Sequence, residues 1–374
     1  MSRKYGKKVE IKINPLAYNI GLIGESGIGK STTIKEFCEK LVGDDGYIML
    51  DIGKEDGHKA INGIVSAEIP DWDTFSDFVD DVIENKTTDY KDLKVIGLDT
   101  YDQLVEIAEP EVVRMHNRAN PDKRVDSINA AFGGFGKGMD KVSEIILDKL
   151  WELKKVGVSF IMIGHVKNKE IDDAATGESY SILTTNMSQK YFNAIKTKLD
   201  FLGVAYVDRK IVKEKTGKKN IATKQDIVKR KVAEESRRIS FRDDNYSIDS
   251  KSRFADIVDN IPMDSDALIK AINDAIMAEH SKGEKTVDES KKEEAKEAKN
   301  KEKEVEKYIE NRKATKVDEV VNVKLISEIQ DKFSVQSKEV KEQIKDIMTE
   351  NGFSSFRDEN IPTQALEQIV SLLK

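Results

Sequence analysis

The chain has 374 residues, of which 38% are apolar and 35% are charged. This length suffices for one large or two ordinary domains, and the high charged fraction predicts exposed or disordered segments beside a packed core. The net charge of -7 argues against a uniformly basic surface for nucleic acid. A single cysteine excludes an intramolecular disulfide, and no apolar run is long enough to cross a membrane. We therefore expect a cytoplasmic protein with no membrane partner.

The strongest motif is a glycine-rich segment between an apolar strand and a helix. Residues 24–31 fill every fixed position of the pattern G-x-x-x-x-G-K-[ST], in which backbone N–H groups wrap around phosphates. In this pattern Lys30 reaches the β- and γ-phosphates and the Ser31 hydroxyl binds Mg²⁺. The predicted nucleotide-binding residues are Gly24, Glu25, Ser26, Gly27, Ile28, Gly29, Lys30, Ser31 and Thr32. The sequence thus predicts a site for ATP with Mg²⁺.

Acidic residues follow the next two predicted strands. The apolar run 47–50 ends in Asp51, with Glu55 and Asp56 close behind, and the run 94–98 ends in Asp99. Asp99 is the predicted metal-supporting aspartate. Thr100 follows it, where many AAA+ and ABC ATPases carry a catalytic glutamate. We therefore expect the water-orienting base among the earlier three acids, with Glu55 preferred, although each of them could equally be part of a solvated turn.

The strand predicted over 158–164 is followed by His165. In RecA-like folds the equivalent strand ends in a polar side chain that senses the γ-phosphate, and a resemblance to those folds implies this role for His165. A structural histidine is the alternative interpretation. The next segment, 166–190, is predicted to be a long polar loop, and loops of this length are usually functional or disordered.

Two further segments suit contacts with nucleic acid. Residues 132–138 combine four glycines with two phenylalanines and a lysine, which fits either a loop that stacks on bases or an ordinary connector. Residues 208–238 contain twelve Lys/Arg and five acids and are predicted to form a hairpin. This basic hairpin is either a nucleic-acid contact or a solvated sheet edge protected by lysines.

The last quarter of the chain changes character. A helix predicted over 264–280 precedes residues 283–307, of which 17 of 25 are charged. Such a segment is either a solvated helix or a disordered linker. Three short helical patterns follow and are typical of a protein-interaction or DNA-docking module. The predicted organisation is an ATPase domain over 1–280, a charged linker over 281–316 and a helical module over 317–374.

With the phosphate loop, Asp99, His165 and the segment Lys251-x-Arg253 in this order, the chain resembles phage-encoded RecA-like ATPases related to the Sak-four single-strand annealing group. The resemblance implies a mainly parallel sheet flanked by helices. It also implies ATP hydrolysis coupled to single-stranded DNA in a homo-oligomeric ring or filament. Lys251 and Arg253 would then enter a neighbour's site and stabilise charge during phosphoryl transfer. The sequence departs from the family at Glu55, which lies further past its strand than the usual glutamate.

Two other functions compete with a DNA-dependent ATPase. In the first, ATP binding assembles the protein, and the C-terminal module recruits a partner without motor activity. The second, a nucleotide kinase, is disfavoured because the sequence contains no arginine-rich lid after a phosphate-acceptor pattern.

Overall fold

The computed structural model describes the chain except for residues 1–5, 7–8, 55–56, 173–176, 178, 220–225, 243–249, 316, 318, 357, 359–360 and 374. The chain divides into two compact units, Met1–Lys296 and Glu297–Lys374. The strands are β1 (Ile20–Gly24), β2 (Tyr47–Ile52), β3 (Ser66–Ile69), β4 (Val95–Asp99), β5 (Ser159–Asp172), β6 (Ser179–Thr185), β7 (Phe201–Lys219), β8 (Asp226–Ser240), β9 (Lys251–Ser252) and β10 (Asn260–Pro262). The helices are α1 (Lys30–Val42), α2 (Trp72–Glu84), α3 (Tyr101–Ala119), α4 (Lys137–Lys155), α5 (Gln189–Lys196), α6 (Ser265–His280), α7 (Val287–Thr315), α8 (Glu319–Phe333), α9 (Lys338–Glu350) and α10 (Thr363–Leu372).

One sheet organises the first unit, with the strand order β10-β8-β7-β1-β5-β4-β2-β3. The six strands from β7 to β3 in this order are parallel, whereas β8 and β10 are antiparallel to their neighbours. Every residue of β1 and β4 is buried. This explains why both strands read as apolar runs without alternation, because helices cover both faces of such a sheet.

Helix α2 docks onto the sheet unit through one apolar face. In α2, Asp71 caps the N-terminus by accepting the backbone N–H of Thr74 at 2.8 Å. The buried residues of this helix then recur at helical spacing, as an amphipathic pattern requires. They are Trp72, Phe75, Val79, Val82 and Ile83.

The segment 166–190 differs from the long loop predicted for it. Strand β5 continues past His165 and pairs with β6 in an antiparallel hairpin, from Val166 opposite Thr185 to Asp172 opposite Ser179. Strands β7 and β8 form a second hairpin, which the sequence did predict. The first five residues of β7, Phe201–Ala205, also pair with β1. The remainder of β7 continues past the end of β1. Two β-hairpins therefore extend from strands on either side of the phosphate loop.

The second unit has a small core of its own. Three helices, α8, α9 and α10, contribute Ile329, Ile344 and Leu366, all of which are buried, and Asn322 donates to the carbonyl of Ile361 at 2.7 Å. An α/β core with a mainly parallel sheet and a separate group of C-terminal helices was predicted from the sequence, and both are confirmed.

Candidate functional site

The phosphate-binding loop joins β1 to α1. A Cβ atom on Gly24 would lie 2.8 Å from the Cβ of Ala205 on β7, so only glycine fits where the loop leaves the sheet. Gly29 is the N-cap of α1, and its backbone φ is 111°. Residues other than glycine rarely adopt this backbone conformation. The residues between, 25–27, are exposed. The loop therefore presents its backbone to solvent at a helix N-terminus, the arrangement that binds anions.

The Lys30 ammonium lies inside the curve of this loop. Its Nζ donates to the carbonyl oxygens of Gly24 at 3.0 Å and Glu25 at 2.9 Å. The residue is buried, and a buried ammonium needs partners of this kind. The charge is thus held where the pattern places phosphate groups.

Ser31 and Asp99 meet although 68 residues separate them. The Ser31 hydroxyl donates to Asp99 Oδ2 at 2.5 Å, and Nε2 of the buried His58 lies 3.0 Å from the same oxygen. A hydroxyl and a carboxylate suit Mg²⁺, which takes one or two protein ligands and completes its shell with phosphate and water oxygens. Among the described residues, no group of three or more His, Cys, Asp or Glu side chains could hold a metal ion.

Of the three candidate bases, Asp51 alone lies within the described residues. It stands directly opposite Asp99 on the neighbouring strand, at the carboxyl end of β2, and is buried. Glu55 and Asp56 lie outside the part of the chain that the structure describes. The carboxyl edge of the sheet thus carries two adjacent aspartates, of which Asp99 contacts Ser31.

His165 lies level with Gly24, because β1 and β5 pair with these two residues opposite each other. Its Nδ1 lies 2.8 Å from Asp102 Oδ2, and its backbone N–H donates to the other oxygen of that carboxylate at 3.2 Å. Burial alone would raise the pKa of Asp102, but the hydrogen bond and charge of His165 outweigh it and hold the pKa below its usual range. An ionised Asp102 therefore fixes the orientation of the imidazole beside the phosphate loop.

The family model for an AAA domain matches residues 16–254. The chain belongs to the AAA domain family. The same residues contain the phosphate loop, Asp99 and His165, so this AAA domain is a P-loop ATPase domain with a RecA-like arrangement of its sheet.

Solved structures similar to this AAA domain include a KaiC-like protein from the archaeon Pyrococcus horikoshii. The two share 14% identity with a TM-score of 0.28, over 60% of this chain and 78% of that one. An ATPase from the type III secretion system of pathogenic bacteria shares 13% identity with a TM-score of 0.28, over 50% of each chain. The chain thus spans half the length of that ATPase. No curated protein gives a significant match.

Lys251 and Arg253 lie apart from the phosphate loop of the same AAA domain. Lys251 pairs with Leu202 near the start of β7, whereas the loop lies level with Ala205. The Lys251 ammonium donates to the carbonyls of Lys196 at 2.7 Å and Leu199 at 2.9 Å, just after α5.

Arg253 occupies the same region. It donates to the carbonyl of Thr197 at 2.7 Å and forms an ion pair with Asp200 at 3.1 Å. In this chain both basic side chains therefore satisfy carbonyls at the C-terminal end of a helix.

Three residues of the site escaped sequence reasoning. His58 contacts Asp99, Asp102 contacts His165, and Arg237 donates through Nη1 to the carbonyl of Ile28 in the phosphate loop at 2.9 Å. Arg237 was counted only as part of the basic hairpin. A local pattern could have indicated Asp102 alone, since it lies in the first turn of the helix that follows Asp99.

Among the described helices, none has both the length and the apolarity that crossing a lipid bilayer requires.

Proposed function

We propose that this AAA domain binds ATP with Mg²⁺ and hydrolyses it. The contact between Ser31 and Asp99 carries the proposal, because it assembles the hydroxyl and carboxylate that hold the metal in P-loop enzymes. Residues 24–32 would bind the phosphates through their N–H groups, and Lys30 would neutralise the β- and γ-phosphates. Mg²⁺, held by Ser31, Asp99 and the phosphates, would supply charge stabilisation.

The protein's own groups would complete the reaction at the γ-phosphate. Glu55 remains our preferred base for orienting the attacking water, with Asp51 and Asp56 as alternatives. The position of Asp51 beside Asp99 supports a carboxylate near that water. His165, oriented by Asp102, would donate a hydrogen bond to the γ-phosphate and report its presence to the β5–β6 hairpin that continues from it.

We further propose that ATP is coupled to single-stranded DNA. The basic excess over residues 208–238 and the fully exposed ring of Phe135 support such a contact, because basic side chains bind phosphates and aromatic rings stack on bases. The proposed setting is phage recombination or replication in the host cytoplasm, with copies of the chain in a ring or filament. Lys251 and Arg253 would act there in a neighbour's site after exchanging their present carbonyl partners.

The test is the steady-state rate of phosphate release with and without single-stranded DNA, alongside the mass of the protein with a non-hydrolysable ATP analogue. We expect Mg²⁺-dependent hydrolysis that DNA accelerates, and a mass of several copies with the analogue. A rate unchanged by DNA, with no ATP-dependent DNA binding, would remove the DNA half of the proposal and leave the ATPase.

The second candidate function is an ATP-dependent assembly switch that recruits a protein through its C-terminal module. The separate core of the second unit favours it, since a compact helical unit can bind a partner independently of the ATPase. Slow hydrolysis unchanged by Glu55→Gln, together with ATP-dependent oligomers, would favour the switch over the motor.

A further inference from the structure

Arg237 on β8 reaches over the phosphate loop. It lies opposite Val207 on β7, two residues beyond Ala205, which is level with Gly24 at the end of β1. From there its guanidinium donates to the carbonyl of Ile28 at 2.9 Å. The hydrogen bond holds the planar cation against the loop.

Met263 lies beside Arg237. Its backbone N–H donates to the Arg237 carbonyl at 3.0 Å. A Cβ atom on Gly29 would lie 3.5 Å from Arg237 Nη1 and 3.9 Å from Met263 Cε. The guanidinium and the thioether methyl thus line the same side of the loop.

The sheet order fixes which end of a nucleotide would meet these groups. Asp99 on β4, which contacts Ser31, lies on the β5 side of β1, so the metal-bound phosphates belong on that side. Strand β7, and β8 beyond it, lie on the opposite side of β1. A triphosphate laid along the loop therefore has its nucleoside end towards Arg237 and Met263.

We propose that Arg237 and Met263 form the wall that contacts the base of the bound nucleotide. The inference rests on the proposed binding of ATP to the phosphate loop. A planar guanidinium stacks on the face of a base, and a thioether packs against aromatic rings. The bond to Ile28 positions the guanidinium before the ligand arrives, which lowers the ordering cost of binding.

Comparing ATP with inorganic tripolyphosphate tests this assignment, because the second ligand has the phosphates but no base. Calorimetric titration with Mg²⁺ present would use the full-length chain and its variants Arg237→Ala and Met263→Ser. We expect Arg237→Ala to weaken ATP binding by about two- to thirtyfold, the range for a cation on an aromatic face. Tripolyphosphate binding should stay near the wild-type value, and Met263→Ser should show the same selectivity with a smaller loss.

The matched control is Arg118→Ala, which removes an exposed arginine that pairs with Glu111 on α3. This control should bind both ligands as the wild type does.

Two outcomes would overturn the assignment. Equal losses of ATP and tripolyphosphate binding would show that Arg237 only shapes the loop through Ile28. Unchanged ATP binding in Arg237→Ala and Met263→Ser would show that neither side chain contacts the base. Wild-type protein that binds neither ligand would instead refute the proposed nucleotide site. Thermal unfolding of each variant identifies any loss that comes from misfolding.

Discussion

Lys30 places its buried ammonium inside the phosphate-binding loop, where two loop carbonyls accept its hydrogen bonds. The exposed residues 25–27 around it precede the N-terminus of α1, which carries a partial positive charge. A polyanion in the loop would therefore meet a cationic side chain and a helix N-terminus together. The site therefore favours an anionic ligand on electrostatic grounds as well as by its pattern.

Replacing Lys30 with alanine should reduce ATP hydrolysis by about a hundredfold or more, because the charge stabilises the phosphates during transfer. Phosphate release under saturating ATP measures this rate. Lys35→Ala is the control, since Lys35 lies on the same helix and pairs with Glu39. A Lys30→Ala protein that keeps most of the wild-type rate would contradict the assigned role.

The pair of Asp102 and His165 predicts a pH dependence of stability. The pKa of Asp102 lies below its usual value in the folded protein. The folded state therefore gains stability above the unfolded pKa of about 3.9, and this stability disappears as the pH falls through the folded value. Asp102→Asn should lower the free energy of unfolding by about 1–2 kcal/mol at pH 7.

Urea unfolding of wild type and Asp102→Asn from pH 7 to pH 3 measures the difference. It should shrink as the pH falls below about 4, because protonation then removes the same interaction from the wild type. A difference that stays constant over this range would show that the carboxylate charge contributes nothing. The exposed change Asp274→Asn, on α6, provides the background acid dependence.

At the scale of elements, the β7–β8 hairpin is expected to contact nucleic-acid phosphates. Replacing Lys229, Arg230 and Lys231 with serine would remove three cations from β8. Each phosphate contact on a single strand contributes about 0.7 to the slope of log K against log salt, so the slope should fall by about 2. Fluorescence anisotropy with a labelled oligonucleotide at several salt concentrations measures it.

The control for this experiment removes three exposed lysines from the charged helix α7, Lys292, Lys296 and Lys299. It makes the same change in net charge, so it should leave the slope near its wild-type value. Equal effects from both triple variants would indicate a response to overall charge and would contradict a specific contact by the hairpin.

The C-terminal module should unfold separately when its core is damaged. Leu366 is fully buried in the core of the second unit. Leu366→Ala should destabilise that unit by about 3 kcal/mol. Both tryptophans, Trp72 and Trp151, lie in the first unit, so the variant should lose helical circular dichroism earlier on heating without an earlier change in tryptophan fluorescence. Simultaneous early changes in both measurements would show that the two units unfold together.

Local patterns predicted the parts of the site that are contiguous in sequence. The phosphate loop needs a strand, glycines and a helix start within about a dozen residues, and Asp99 directly follows its own apolar strand. A local pattern indicates at most that Asp102 lies near Asp99. The contacts of His58 with Asp99 and of Asp102 with His165 depend on which strands lie side by side, and a single sequence does not show this. The loop predicted over 166–190 was wrong because β5 and β6 pair with each other, while Val166–Asp172 is mostly polar and carries no regular apolar alternation from which a strand could be predicted.

For the molecule as a whole, membership of the AAA domain family leaves the position of the catalytic base open. The residue after Asp99 is the buried Thr100, which cannot act as a carboxylate base. Asp51, by contrast, stands beside Asp99 at the end of the adjacent strand. We therefore expect the base among the acids at and just beyond the carboxyl end of β2, which are Asp51, Glu55 and Asp56.

The extent of the ATPase unit yields the last prediction. The sequence suggested a boundary near residue 280, whereas the first compact unit runs to Lys296. Residues 281–296 contact the rest of this unit: buried His280 lies 2.8 Å from Ser290 Oγ, Lys285 pairs with Glu10 at 2.5 Å, and Glu294 accepts the N–H of Ile13 at 2.6 Å. A chain that ends at residue 280 loses all three contacts.

We therefore expect a chain of residues 1–280 to be less stable than one of residues 1–296 by about 1–3 kcal/mol, since the shorter chain leaves His280 without its buried partner. Urea unfolding followed by tryptophan fluorescence measures both, because Trp72 and Trp151 lie in the shared part. The longer chain should match the fluorescence transition of the full-length protein. Identical midpoints for the two truncated chains would place residues 281–296 outside the ATPase domain and support a boundary near residue 280.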